Sequence, residues 1–124
     1  MIRVFDLNRS LSFYKLALNL EIADRFDFDG FTLVYLRNEE NDFEIELTHN
    51  HNQSEPYTHG TGYGHLAVCV DNLAAKHAEL TEKGYQPADV KEFHRDNALM
   101  ARFFFVVDPD GYKIEFLEKH GRYQ

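Results

Sequence analysis

Hydrophobic and polar residues recur in the same order in the two halves of the chain. In the first half, apolar residues spaced four, three and four positions apart predict an amphipathic helix: Leu7, Leu11, Tyr14 and Leu18. Asp6 or Asn8 can cap that helix, since short polar side chains accept hydrogen bonds from its first free amides. Alternating residues predict one strand before the helix and three after it: 2–5, then 21–27, 31–37 and 42–48.

The second half repeats this plan. A strand over 65–70 leads into a helix over 72–83, and Gly84 stops that helix. Further strands follow this helix, and the last two are predicted over 103–107 and 112–117. Between them, Asp108-Pro109-Asp110-Gly111 has the composition of a tight turn, because proline presets one backbone angle and glycine permits the left-handed conformation.

The duplicated order predicts the fold class. We expect an α+β protein in which tandem βαβββ modules form curved mixed sheets. A length of 124 residues is typical of one domain. The predicted organisation is therefore a single domain with module one at about 1–50, a linker at about 51–62 and module two at about 63–120.

Each module ends on a similar strand with one glutamate at the same point: Phe43-Glu44-Ile45-Glu46-Leu47 and Tyr112-Lys113-Ile114-Glu115-Phe116. Side chains alternate along a strand, so Glu46 and Glu115 point away from the apolar residues beside them. His65, near the start of its own strand, has the same alternation. If a helix covers the apolar face of each sheet, these three side chains lie on uncovered faces and could converge. They would supply three of the four ligands of a metal site around a pseudo-twofold axis.

The repeat also predicts where a fourth ligand belongs. Leu73 follows His65 by eight residues, and its counterpart in the first module is Leu7. Eight positions before Leu7 falls just upstream of Met1. We therefore expect that the chain begins inside its first strand, and that an in-frame upstream codon encodes the missing histidine or glutamine.

Composition limits the possible partners and location. The formal charge of -8 argues against nucleic acid or an anionic membrane as a partner. The one cysteine, Cys69, cannot form an internal disulfide and fits a reducing compartment. The sequence has no apolar run long enough to span a membrane and no leader for export. We expect a soluble cytoplasmic protein.

Three motifs resemble those of a known family. Glu-Leu-Thr-His-Asn at 46–50, Gly-Tyr-Gly-His at 62–65 and Asp-Pro-Asp-Gly-Tyr-Lys-Ile-Glu at 108–115 look like glyoxalase I (lactoylglutathione lyase) of the vicinal oxygen chelate superfamily. The resemblance runs over essentially the whole chain. It implies a metal held by a His or Gln on the first strand and by residues matching Glu46, His65 and Glu115.

The resemblance also implies a reaction. Methylglyoxal and glutathione form a hemithioacetal, and its conversion to S-lactoylglutathione moves a proton between adjacent carbons while a divalent cation stabilises the developing charge. By resemblance, Glu115 is the base and Glu46 its pseudo-symmetric partner, Arg3 and Asn50 bind glutathione carboxylate groups, and Met100 lies beside the pocket. Nickel or cobalt is the favoured ion, with zinc also compatible. The expected assembly is a homodimer with the site at the subunit interface.

Other functions remain open. One alternative is a different enzyme of the same superfamily, such as a dioxygenase or an epimerase. Another is a metal-free small-molecule-binding protein of the drug-sequestering type. Asn19 and Thr61 depart from the family pattern, which leaves open whether the thiol is glutathione.

A His-x-His sequence at His49 and His51 also invites a metal-binding interpretation. The surrounding segment over 49–62 is rich in histidine, asparagine and glycine. The sequence therefore favours a solvent-facing linker for these two histidines, without a ligand role.

Overall fold

Two helices and eight strands make up the chain, and a computed structural model describes all of its residues, Met1–Gln124. The chain divides into two compact units, Met1–His59 and Gly60–Gln124. The first unit contains these elements: β1 (Ile2–Arg3), α1 (Leu7–Leu18), β2 (Glu21–Phe28), β3 (Phe31–Arg37) and β4 (Ile45–Asn50). The second contains their counterparts: β5 (Leu66–Val70), α2 (Leu73–Glu82), β6 (Lys91–Arg95), β7 (Ala98–Val107) and β8 (Lys113–Glu118). That the two units form one domain stays a prediction.

Each unit holds one four-stranded mixed sheet with the same strand order. The order is β1-β4-β3-β2 in the first unit and β5-β8-β7-β6 in the second. The first strand of each unit pairs in parallel with the last, and the remaining pairs are antiparallel. This arrangement confirms the predicted α+β fold built from two βαβββ modules.

Helix α1 begins where its cap was predicted but buries a different stripe. Asp6 caps it by accepting a hydrogen bond from the Arg9 amide at 3.0 Å. The buried side chains are Ser10, Phe13, Tyr14 and Ala17. Of the predicted stripe only Tyr14 is buried, and the three leucines are half-buried. The largest buried side chains of the helix are Phe13 and Tyr14, whose rings meet edge to face 5.2 Å apart.

Helix α2 matches its prediction closely. The Asn72 side chain accepts from the Ala75 amide at 2.9 Å, and Gly84 follows the helix with a φ of +84° that side chains disfavour. Leu73 and Leu80 are the buried residues of this helix. In the sheet of the same unit, the rings of Phe104 and Phe116 stack 5.1 Å apart and are both buried. These side chains belong to the buried apolar residues of the second unit.

Several strands differ in their bounds from the sequence prediction. Strand β4 begins at Ile45 and continues through Asn50, so His49 belongs to a paired strand and not to a solvent-facing linker. Strand β5 begins at Leu66, which leaves His65 immediately before it. Strand β6 belongs to the predicted βαβββ order, but its position was not predicted, because its five residues are all exposed and lack apolar alternation. No helix in the structure is both long and apolar enough to cross a membrane.

Candidate functional site

The second unit brings two of the predicted metal ligands together. Glu115 lies between the buried residues Ile114 and Phe116 of β8, and its own side chain points to the other face. His65 directly precedes β5, which pairs in parallel with β8. Its Nε2 lies 3.2 Å from Oε2 of Glu115. The His65 side chain is 42% exposed and that of Glu115 is 15% exposed, so the carboxylate is the more sheltered partner.

Phe105 lies beside the His65–Glu115 pair, and the sequence pattern did not predict this contact. It lies directly opposite Glu115 across β7 and β8. Its ring meets the ring of His65 edge to face at 5.2 Å. A signal for it existed, because the Asp108 turn sets the register of the hairpin and therefore the residue opposite Glu115. Phe105 supplies an apolar wall beside the histidine and the carboxylate.

Tyr63 links the segments that carry His65 and Glu115. Its hydroxyl donates to the carbonyl oxygen of Lys113 at 2.9 Å. Its ring also meets the ring of Tyr112 edge to face at 5.3 Å. Partial burial raises the pKa of the Tyr63 phenol, so the hydroxyl remains a donor at neutral pH. Tyr63 therefore fixes the chain just before β5 to the start of β8.

In the first unit, two hydroxyl groups lie beside Glu46. Tyr35 lies directly opposite it across β3 and β4. Burial, and then the nearby Glu46 carboxylate, raise the pKa of the Tyr35 phenol. Thr48 Oγ1 donates to Glu46 Oε1 at 3.2 Å. The pattern of the sequence identified Glu46 but neither of its partners.

The two predicted substrate-binding residues of the first unit share the face of Glu46. Arg3 pairs with Thr48 across the parallel strands β1 and β4, so its side chain lies on the Thr48 side of the sheet. Asn50 follows Thr48 by two positions and lies on the same side. Its Nδ2 donates to the Tyr57 hydroxyl at 2.9 Å. Arginine and asparagine side chains on one face are chemically suited to bind carboxylate groups.

Met100, the third predicted substrate residue, lies at an irregularity of the sheet. Phe93 pairs with Ala101 and His94 with Leu99, so Met100 is an extra residue between the two pairs. Its side chain is 39% exposed. Its place beside a substrate pocket stays a prediction.

The donor set of the second unit fits a divalent metal ion. Two ligand atoms about 2.1 Å from one ion and at right angles to each other lie about 3 Å apart, and His65 and Glu115 approach within 3.2 Å. Imidazole and carboxylate ligands suit nickel, cobalt and zinc. No group of three His, Cys, Asp or Glu side chains able to hold a metal occurs within either unit. Joint ligation by Glu46, His65 and Glu115 therefore stays a prediction.

The chain is similar to a known protein family and to curated proteins over nearly its whole length. The family described as Glyoxalase/Bleomycin resistance protein/Dioxygenase superfamily matches residues 1–116. A lactoylglutathione lyase of Haemophilus influenzae is 37% identical, over 95% of this chain and 88% of the Haemophilus protein. A lactoylglutathione lyase of Neisseria meningitidis is 36% identical, over 96% of this chain and 87% of the Neisseria protein.

Solved structures resemble the whole chain as well. A glyoxalase I of Leishmania major, described as trypanothione-dependent, superposes with a TM-score of 0.75 at 33% identity. The match covers 96% of this chain and 83% of the Leishmania chain. Sequence and structure comparisons therefore agree on one family.

Proposed function

Because the chain belongs to the glyoxalase/bleomycin resistance protein/dioxygenase superfamily, we propose that it is a lactoylglutathione lyase, which converts the hemithioacetal of methylglyoxal and glutathione to S-lactoylglutathione. The identities of 37% and 36% to curated lactoylglutathione lyases over nearly the whole chain support this activity. The structural observation that carries the proposal is the 3.2 Å approach of His65 to Glu115 beside the Phe105 ring. This approach brings a metal-binding imidazole nitrogen next to a largely buried carboxylate.

The residues that would hold the metal are Glu46, His65 and Glu115. Nickel or cobalt is the proposed ion, and zinc is also compatible with nitrogen and oxygen ligands. When bound, the ion supplies Lewis-acid polarisation of the substrate oxygens. Glu46 lies in the first unit and the other two residues lie in the second. We place the complete site at the interface of a cytoplasmic homodimer.

Glu115 is the proposed catalytic base. A carboxylate oxygen of Glu115 removes a proton from the hemithioacetal carbon, which is bonded to sulfur, and returns the proton to the neighbouring carbon. The 15% exposure of its side chain supports this role, because a sheltered carboxylate exchanges its proton with water less readily. The Thr48 hydroxyl donates to Glu46, and Tyr35 lies opposite Glu46 across the two strands, which supports a fixed orientation for this ligand.

Binding of the tripeptide part of the substrate is proposed for the first unit. Arg3 and Asn50 would bind the carboxylate groups of glutathione, and Met100 would contact the substrate beside the pocket. The common face of Arg3, Asn50 and Glu46 supports this arrangement. An arginine fork donates two parallel hydrogen bonds to a carboxylate, and such pairs are among the stronger polar contacts.

The test is formation of S-lactoylglutathione from methylglyoxal and glutathione. The protein is first stripped with a chelator, and Ni²⁺, Co²⁺ or Zn²⁺ is then added singly. We expect turnover to disappear on chelation and to return with nickel or cobalt. Size-exclusion chromatography with light scattering measures whether the active species is a dimer.

Two further measurements, with a second thiol and with a control variant, make the assay more specific. Trypanothione replaces glutathione in one, because the related Leishmania enzyme is described as dependent on that thiol. Glu39→Gln, in an exposed turn, serves as a control variant that retains activity. Absence of turnover with every metal and both thiols would overturn the proposed activity.

A further inference from the structure

His49 and His51 lie together on the side of the first sheet that faces away from Glu46. Both line an open cleft of about 470 Å³ within the first unit. His49 follows the buried residue Leu47 by two positions in β4, and Glu46 and Thr48 point to the opposite side. The sequence favoured a plain linker for this pair. The structure instead holds His49 in a paired strand, opposite Thr32 of β3.

In each of the two histidine rings, one nitrogen forms a hydrogen bond with a protein group. In His49 this nitrogen is Nδ1, which lies 3.3 Å from the carbonyl oxygen of Val4. A carbonyl oxygen only accepts, so Nδ1 must carry the proton. In the neutral ring the lone pair is then on Nε2, and no protein group forms a hydrogen bond with that atom. His49 is thus oriented with a metal-binding nitrogen available.

In His51 the contact with Thr32 likewise decides which ring nitrogen carries the proton. The Thr32 hydroxyl lies 2.8 Å from Asp27 Oδ1 and 2.9 Å from Nε2 of His51. Arg25, and then Thr32, lower the pKa of Asp27 to about 2, so its carboxylate is ionised and accepts the single hydroxyl proton. Nε2 of His51 must therefore donate to the Thr32 oxygen. The lone pair of the neutral ring is left on Nδ1.

The two rings are close enough to share one ion. Their centroids are 5.6 Å apart. Two imidazoles bound through nitrogens about 2.1 Å from one ion have ring centroids about 5 to 5.5 Å apart, which is close to the observed separation. Metal-binding histidines usually donate their other ring N–H to a carbonyl or to a polar side chain, which fixes the ring. The Val4 carbonyl and the Thr32 hydroxyl make those contacts here.

We propose that His49 and His51 form a second metal site, specific for divalent transition-metal ions such as Cu²⁺, Ni²⁺ or Zn²⁺ and separate from Glu46. No third His, Cys, Asp or Glu side chain completes the group, so water or an external ligand fills the remaining positions. Copper binds most tightly, in keeping with the general order for nitrogen ligands. Mg²⁺ does not bind, because it prefers oxygen ligands.

The experiment uses a protein from which the other ligand pair has been removed. In the double variant His65→Ala, Glu115→Ala, we expect isothermal titration calorimetry with CuCl₂ or NiSO₄ to detect one bound ion per chain. The copper complex should show electron paramagnetic resonance coupling to two imidazole nitrogens. Adding His49→Gln or His51→Gln to the double variant should abolish this binding. His94→Gln, which changes an exposed histidine of β6, should leave it intact.

A fourth variant tests how the ring of His51 is held. Thr32→Val keeps the shape of a buried side chain but removes the oxygen that accepts from His51. It should weaken copper binding about 10-fold, as does loss of other groups that orient a ligand. Melting temperatures of the metal-free variants identify any loss of folding. Binding in the double variant that survives His49→Gln and His51→Gln, or no binding at all, would overturn the proposal.

Discussion

The hydroxyl of Tyr63 donates to the carbonyl of Lys113 at 2.9 Å and so ties together the segments that carry His65 and Glu115. Tyr63 precedes His65 by two residues, and Lys113 precedes Glu115 by two residues. This hydrogen bond therefore joins the two positions that lie two residues before His65 and two residues before Glu115. Its effect on the separation of His65 and Glu115 is testable without altering either residue.

Tyr63→Phe removes this hydroxyl and keeps the ring contact with Tyr112. We expect the free energy of unfolding to fall by about 1 kcal/mol, the usual net contribution of one hydrogen bond. We also expect nickel affinity to fall about 10-fold, because an orienting contact has been lost. Thermal melting and calorimetry measure the two effects. Tyr123→Phe, which removes a different tyrosine hydroxyl of the same unit, is the matched control, and equal nickel affinity in both variants would contradict the prediction.

Tyr35→Phe and Thr48→Val each remove one hydroxyl group beside Glu46. We expect either change to lower kcat about 10-fold, since groups that orient a ligand contribute at that scale. Because Phe and Val preserve ring and side-chain shape, the melting temperature should change little. Thr58→Val, at an exposed position, is the control. Wild-type kcat in the double variant Tyr35→Phe, Thr48→Val would show that Glu46 needs no such support.

Glu115→Gln replaces the proposed base with an amide of the same size. We expect kcat to fall by roughly 10² to 10⁴, the usual contribution of a positioned acid–base group. Single-turnover measurements on metal-loaded protein separate this loss from a loss of metal, which mass spectrometry under native conditions quantifies. A kcat within a few-fold of wild type at full metal occupancy would assign the proton transfer to another residue.

Asp27→Asn tests the network of Arg25, Asp27 and Thr32 by pH. The folded-state pKa of Asp27 is lowered to about 2 from an ordinary 3.8, first by the Arg25 hydrogen bond and then by Thr32. A lowered pKa stabilises the folded state above the ordinary value, and that stabilisation disappears as the pH falls through the lowered one. We expect the melting temperatures of wild type and Asp27→Asn to differ at pH 6 and to converge between pH 4 and 2. A constant difference over this range would contradict the assigned pKa.

Much of the fold was predictable because its signals are local. Alternation over 43–47 and 112–116 predicted which side Glu46 and Glu115 face, and Asp6 and Asn72 predicted where both helices begin. Local sequence signals did not predict which side chains of a helix are buried, because burial depends on the element that packs against the helix. The leucines of α1 form an apolar stripe in sequence, but Phe13 and Tyr14 are the large side chains that this helix buries.

By itself, the sequence determined the duplicated order of elements and the faces of Glu46, His65 and Glu115, because side-chain alternation and helix capping depend on neighbouring residues. Only the tertiary structure decided which residues surround them. Tyr35 lies opposite Glu46, and Phe105 lies opposite Glu115, because pairing between strands sets their register. The same pairing put His49 in a strand across from Thr32, and contacts between distant segments then set the donor nitrogen of each histidine.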